Sequence, residues 1–236
     1  MISNISWYLS NDHPCPYFEN RNASNVFCQE DYLNAQSYEI LQEQGFRRSG
    51  HTFYKPQCKT CSDCIPLRIK AKQFNPSKSQ RKIKNKNSDL TTTWTSLKSD
   101  SEHIDLYNNY QNIIHDGRMS ANEAAFIEMF SHKGYVVSEI QFRLDNKLIG
   151  VSIIDLGINS LSSVYFYYDP QFSKRSLGTY SVLIEIQSCI EKNIDFWYGG
   201  YAISNCKKMS YKTKFQPAEY FYNKSWQTDL PENFIT

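Results

Sequence analysis

Three cysteines spaced by three, Cys58-x-x-Cys61-x-x-Cys64, together with Cys15 upstream, offer four thiolates, the number that zinc or an iron–sulfur cluster takes. The ladder differs from the paired knuckles of ordinary zinc ribbons, and small thiols also pack well in cores, so both readings stand. With Cys28, Cys189 and Cys206 the total is seven, an odd number that cannot all pair internally. A second chemistry is electrostatic. Residues 65–88 contain no Asp or Glu but eight bases: Arg68, Lys70, Lys72, Lys78, Arg81, Lys82, Lys84 and Lys86. Residues 196–218 are also acid-free and carry Lys207, Lys208, Lys212 and Lys214. Two such clusters on a chain of net charge +2 suit a phosphate backbone, although a solvated basic helix is the bland alternative. The run Asn75-Pro76-Ser77-Lys78-Ser79-Gln80-Arg81 mixes hydroxyls, amides and bases as phosphate contacts do.

These groups must be held by a fold, and the chain has material for one. Its 236 residues are 40% apolar and 15% aromatic, which excludes intrinsic disorder and supports a sizeable core. No apolar run approaches the ~18 residues of a membrane span, and the N-terminus lacks the basic and apolar regions of a signal peptide. The expected compartment is therefore the cytosol, where disulfides are disfavoured. Asn34 caps a short helix closed by Gly45, and 46–55 reads as two strands turning at Ser49-Gly50. A strand over 66–71 precedes a basic helix capped by Ser77 and running to about Asn87. Helices follow near 106–114 and 122–132, after an extended 91–96. A hairpin joins 136–144 to 147–155 across Asp145-Asn146, and 161–168 is a third strand ending at Asp169-Pro170. Arg175-Ser176-Leu177-Gly178-Thr179 then opens a helix with Val182, Leu183, Ile186 and Ile190 on one face. A strand at 195–201, a helix at 205–213 and a strand at 218–222 complete the chain. The composition shifts near 87–90, dividing it into 1–88, a Cys-containing region with the basic helix, and 89–236.

The fold class expected is α+β. A three-strand meander, an Arg/Gly loop capping a helix, another strand and a short helix bearing a Tyr is the order of acetyltransferase (GNAT-type) folds: a mixed sheet flanked by helices, here with a smaller Cys-containing N-terminal half that reads as a degenerate second unit. Longer strings are more specific: Cys15-Pro16-Tyr17, Gly45-Phe46-Arg47-Arg48-Ser49-Gly50, Tyr54-Lys55-Pro56, the cysteine ladder with Pro66, and Pro76-Ser77-Lys78-Ser79-Gln80-Arg81. Phe142-Arg143, Tyr167-Tyr168-Asp169-Pro170, Arg175-Ser176-Leu177-Gly178-Thr179-Tyr180, Gly200-Tyr201 and Cys206-Lys207-Lys208-Met209-x-Tyr211-Lys212 continue the series. Nearly end to end, the chain resembles the bacterial aminoacyl-tRNA–protein transferases, the aspartate/glutamate leucyltransferases related to eukaryotic arginyltransferase.

The resemblance implies transfer of an aminoacyl group from charged tRNA to the α-amine of proteins beginning with Asp or Glu, which marks them for degradation. Leucine is the expected donor, with arginine the alternative. Aminoacyl-tRNA and acidic-N-terminus proteins are then the partners; membrane and DNA are not. No cofactor is required, and a metal or cluster at Cys15, Cys58, Cys61 and Cys64 stays open. Asp169, at a strand end, would orient or deprotonate the incoming ammonium, against a simple Asp-Pro turn. Tyr211 would protonate the leaving ribose hydroxyl, against plain core packing. Arg175, Gly178 and Thr179 would cradle phosphates or the terminal adenosine, against helix capping. Lys78, Arg81, Lys82, Lys84, Lys207 and Lys208 would contact the tRNA. Arg47 or Arg48 would hold the acceptor carboxylate; in strict alternation only one can face a pocket. Two other functions compete: an acyl-CoA-dependent acetyltransferase, for which the basic helix has no use, and a non-enzymatic RNA-binding module built on the cysteines.

Overall fold

The computed structural model describes residues 5–235. Four short strands near the N-terminus, β1 (Tyr8–Leu9), β2 (His13–Pro14), β3 (Asn22–Ala23) and β4 (Asn25–Gln29), precede helix α1 (Ala35–Glu43). Asn34 caps α1 by accepting from the Ser37 amide at 2.8 Å, and Gly45 ends the turn at φ 82°. Strands β5 (Arg47–Ser49) and β6 (Thr52–Pro56) form the expected hairpin and join β1 and β4 in an antiparallel sheet of order β1-β4-β6-β5. Strand β7 (Cys64–Lys70) leads to α2 (Lys78–Lys86), then β8 (Thr91–Ser96), α3 (Ser101–His115) and α4 (Glu123–Phe130). The remainder is β9 (Val136–Leu144), β10 (Lys147–Leu156), β11 (Ser160–Tyr168), α5 (Leu177–Glu191), β12 (Phe196–Ile203), α6 (Lys207–Ser210), β13 (Glu219–Tyr222) and β14 (Ser225–Gln227).

The second sheet has eight strands in the order β14-β13-β7-β12-β11-β10-β9-β8, and its β11–β12 pair is parallel while the others are antiparallel. The molecule is thus α+β, with a large mixed sheet flanked by helices. β7 belongs to this large sheet, so residues from both sides of the composition shift build it. Asp145 and Asn146, at φ 47° and 71°, make the primed turn that suits a two-residue hairpin. Every residue of β10 from Leu148 to Asp155 is buried, because α5 covers one face and α3 and α4 the other. One core joins α5 (Leu183, Ile186) to Leu67, Trp197 and Phe215; a second joins Tyr107 and Phe126 to Tyr167; a third, around Tyr38 and Phe53, supports the small sheet. The helix expected at 205–213 is instead the single turn α6 followed by a 3-10 turn over Tyr211–Lys214. The four short N-terminal strands were not anticipated; three of them have only two residues and carry no readable periodicity.

Candidate active site

β11 and β12 pair only over Ser160–Ser162 against Phe196–Tyr198, then run on in the same direction without pairing, so the large sheet forks. A fork strips strand carbonyls of their ladder partners, and something must satisfy them. Arg47 does so from β5 of the small sheet: its guanidinium donates to Ser162 Oγ at 2.7 Å and to the Ser163 carbonyl. Across the fork β12 carries a bulge at Gly199–Gly200, where Gly200 takes φ 77° and a Cβ would stand 3.2 Å from Arg47 Cζ. The backbone thus makes room for that guanidinium.

The neighbouring Arg48 points the other way, as alternation requires. Fully buried, it donates to both Asp155 oxygens at 2.8 Å and to the carbonyls of Gly50, Phe130 and Ser131. Nothing of it is left for a substrate. Among the described residues, six of the eight arginines make an ion pair, and the two that do not are Arg81, on the exposed face of α2, and Arg47.

Three further groups border the fork. Lys212, on the turn after α6, is partly buried, and its Nζ donates to the Tyr201 carbonyl at 3.3 Å. Burial, reinforced by Arg47 and opposed by Glu185, lowers its pKa to about 7. Glu185 of α5 is buried and pushed up by desolvation, while accepting from Ser152 Oγ and, at 2.7 Å, from Trp197 Nε1. Tyr211 packs its ring against Phe215, and burial and then Glu185 raise its pKa to about 12. Lys212 and Glu185 were not singled out from sequence. Their signals were an acid amid the apolar face of α5 and a lysine directly following Tyr211.

The four cysteines meet. Cys15, Cys58, Cys61 and Cys64 line one cavity of about 110 Å3, bounded also by Tyr54 and Tyr201. Cys64 is pushed up to about 12, first by burial and then by Cys61, Cys58 and Cys15. Cys61 accepts instead from Arg21 at 3.7 Å, and Cys58 turns to the Ser24 carbonyl at 3.8 Å. Among the described residues no three His, Cys, Asp or Glu side chains converge as metal ligands do, so the thiols share a cavity without forming a coordination shell.

The basic helix is built as its sequence suggests. Ser77 and Gln80 close a reciprocal capping box, Ser77 N donating to Gln80 Oε1 at 2.8 Å and Gln80 N to Ser77 Oγ at 3.3 Å. Buried Gln80 and Asn87 anchor it, donating to the carbonyls of Lys214 and Arg175. Lys78, Arg81, Lys82 and Lys84 are exposed and, among the described residues, form no ion pair. Arg175 is engaged bidentately by Asp89 at 2.8 Å, so it welds the end of α2 to the start of α5 rather than offering its charge freely. Ser176, at φ 58°, opens α5; Gly178 there has open space where a Cβ would lie, and Thr179 donates its amide to the Ser176 carbonyl. Lys208 is exposed, and the Lys207 side chain lies outside the described ones.

Asp169 is placed at the strand end but is occupied. One oxygen accepts from the Gln171 amide at 3.1 Å and the other from Lys147 Nζ at 2.8 Å. It lies roughly 20 Å along β11 from Ser163, at about 3.3 Å per residue. This is the bonding of a turn-forming Asp. Asn can make the same cap, and the half-exposed Lys147 partner is worth about 1 kcal/mol at most. Asp169→Asn should therefore transfer within a few-fold of wild type and melt nearly as high. A fall of about 10²-fold or more in single-turnover rate would restore the general-base role.

Comparison with known proteins completes the site. A family model described as "Arginine-tRNA-protein transferase, C terminus" matches residues 102–222, and its N-terminal counterpart matches residues 13–82. The chain is 38% identical over 231 residues to a protein of Saccharophagus degradans named aspartate/glutamate leucyltransferase, covering 96% of this chain and 98% of that one. A protein of the same name from Chromobacterium violaceum is 37% identical over 234 residues, covering 98% and 96%. In fold, the chain resembles the crystal structure of FemX, with a TM-score of 0.53 and 8% identity over 95% of this chain and 88% of that one.

Proposed function

The chain belongs to the arginine-tRNA-protein transferase family and transfers leucine from tRNA to proteins beginning with Asp or Glu, and from that premise we propose how its residues divide the work. Arg47 reads the acceptor's side-chain carboxylate. The observation that carries this is its place at the strand fork, with a guanidinium spent on a hydroxyl and a carbonyl but on no carboxylate. Arg48, its neighbour, holds the protein together.

The exposed face of α2 binds the tRNA backbone through Lys78, Arg81, Lys82 and Lys84, with Lys207 and Lys208 as further tRNA contacts. The ion pair of Arg175 with Asp89 keeps that face beside the opening of α5, where Gly178 leaves open space for a phosphate to approach the helix N-terminus. In this reading the fork is that of a GNAT-type fold, with its aminoacyl end reaching toward Arg47.

The chemistry needs little more than placement. The ester is already activated, and an α-amine with a pKa of about 7.7–8.0 is partly neutral at cytosolic pH. Holding the two together is worth about 7–11 kcal/mol in favourable cases. Tyr211 keeps its proton at neutral pH, which suits it to protonate the departing ribose oxygen. No step calls for a cofactor, and none is routed through the thiol cavity.

Two measurements test the tRNA part. Charge-neutral variants at Lys78, Arg81, Lys82 and Lys84 should bind tRNA more weakly and lower the logarithmic salt slope by about 0.7 per lost contact to single-stranded phosphate. An unchanged slope and affinity would leave α2 as a solvated face. Acetyl-CoA should not shift the melting temperature; a shift with acetyl-CoA and none with Leu-tRNA would favour the acyl-CoA enzyme.

A further inference from the structure

Arg47 is not the only cation at the fork without a carboxylate. The Lys212 Nζ reaches the same stretch of β12: it donates to the carbonyl of Tyr201, while Arg47 lies against Gly200, the residue before it, and the Arg47 charge acts on Lys212. Its single hydrogen bond is to a neutral acceptor, and among the described residues it makes no ion pair. Two neighbouring partly buried cations repel each other, and among the described residues the carboxyl that feels both, Glu185, is bonded to Ser152 and Trp197 and pairs with neither.

We infer that Lys212 is a second specificity-determining residue for the acceptor: with Arg47 it forms a two-cation clamp on the side-chain carboxylate of the N-terminal Asp or Glu, and it takes up a proton from solvent when that carboxylate binds. This rests on the reading of Arg47 above and adds a proton to it. Empty, the clamp favours the neutral amine, because burial and Arg47 outweigh Glu185 and hold the Lys212 pKa near 7. A bound carboxylate reverses the balance and draws the pKa up. Above pH 7, then, binding an acidic N-terminus requires a proton that binding an uncharged one does not.

The other titratable groups facing this position are few. Arg47 comes from β5, Glu185 from α5 and Tyr211 from the same turn as Lys212. Tyr17, Tyr38, Tyr54 and Tyr201 lie near Arg47, and burial raises all four. Tyr201 is held well above the ordinary tyrosine value, and Tyr211 stands near 12. Glu185 is the one remaining group whose titration can imitate the effect.

The test compares KM for an Asp-initiated peptide with KM for its Asn-initiated twin across pH 6–9, with Leu-tRNA saturating. The ratio cancels titration of the α-amine, which both peptides share. In wild type the preference for Asp should be largest below pH 7 and decline by up to about tenfold per unit above it, the limit for one proton. Lys212→Arg, a permanent cation, should keep the preference and flatten its pH dependence. Lys212→Met should lower the preference throughout and flatten it too, with kcat for the bound peptide changed far less than KM. A large wild-type preference that is flat with pH overturns the proposal while leaving Arg47 in place. A sloping preference that persists in Lys212→Arg assigns the proton to Glu185 and also overturns it. No Asp preference at any pH would overturn the Arg47 reading itself, a different result from either.

Discussion

Replacing Arg47 with Ala should lower kcat/KM for an Asp-initiated peptide by roughly 30- to 5,000-fold, the 2–5 kcal/mol typical when one partner of a desolvated charge pair is removed. Most of the loss should fall on the acceptor KM, and transfer to an Asn-initiated peptide should change far less. Arg47→Lys should recover only part, because one ammonium cannot hold the Ser162 hydroxyl and the Ser163 carbonyl while also meeting a carboxylate. Equal losses with the Asp and Asn peptides would mean that Arg47 merely props the fork open. The comparison separates specificity from architecture because the two peptides differ only in charge.

Arg48→Ala should do the opposite: cost stability rather than selectivity. It would leave Asp155 buried without its cation and three carbonyls without a donor, a loss of about 3–5 kcal/mol. For a chain of this size that is a drop of roughly 6–20 °C in melting temperature. The tyrosines Tyr38 and Tyr135, which donate to Asp155 at 2.9 and 3.4 Å, would remain but cannot neutralise it. Whatever fraction stays folded should still prefer Asp over Asn. A stable Arg48→Ala protein that had lost that preference would exchange the roles of the two arginines.

The pair also shows what the chain made readable. Alternation along β5 required Arg47 and Arg48 to face opposite ways, and they do. Which one faces the core depends on Asp155, 107 residues further on, and no local pattern reports that distance. Local signals fared well where the physics is local: the Ser77–Gln80 capping box, the Asp145-Asn146 turn and the Asn34 cap are each written in a few consecutive residues. The fork was not, because strand pairing that stops after three residues leaves no trace in hydrophobic periodicity. Lys212 was legible as one base in an acid-free stretch, but its burial against Arg47 follows from tertiary placement. The three cysteines of the ladder and Cys15 line one cavity, yet Arg21 and the Ser24 carbonyl engage two of the four thiols separately. Asp169 sat where a catalytic carboxylate would help, and only the arrival of Lys147 from β10 revealed its other employment.

The whole assignment turns on which N-terminus the fork accepts. Labelled Leu-tRNA, incubated with the protein and with peptides that begin with Asp, Glu or Ala but are otherwise identical, measures this directly. A site built to pair a carboxylate rejects a substrate that lacks one, since its cations are then left uncompensated. Leucine should appear on the Asp and Glu peptides and not on the Ala peptide; equal labelling of all three would contradict the account.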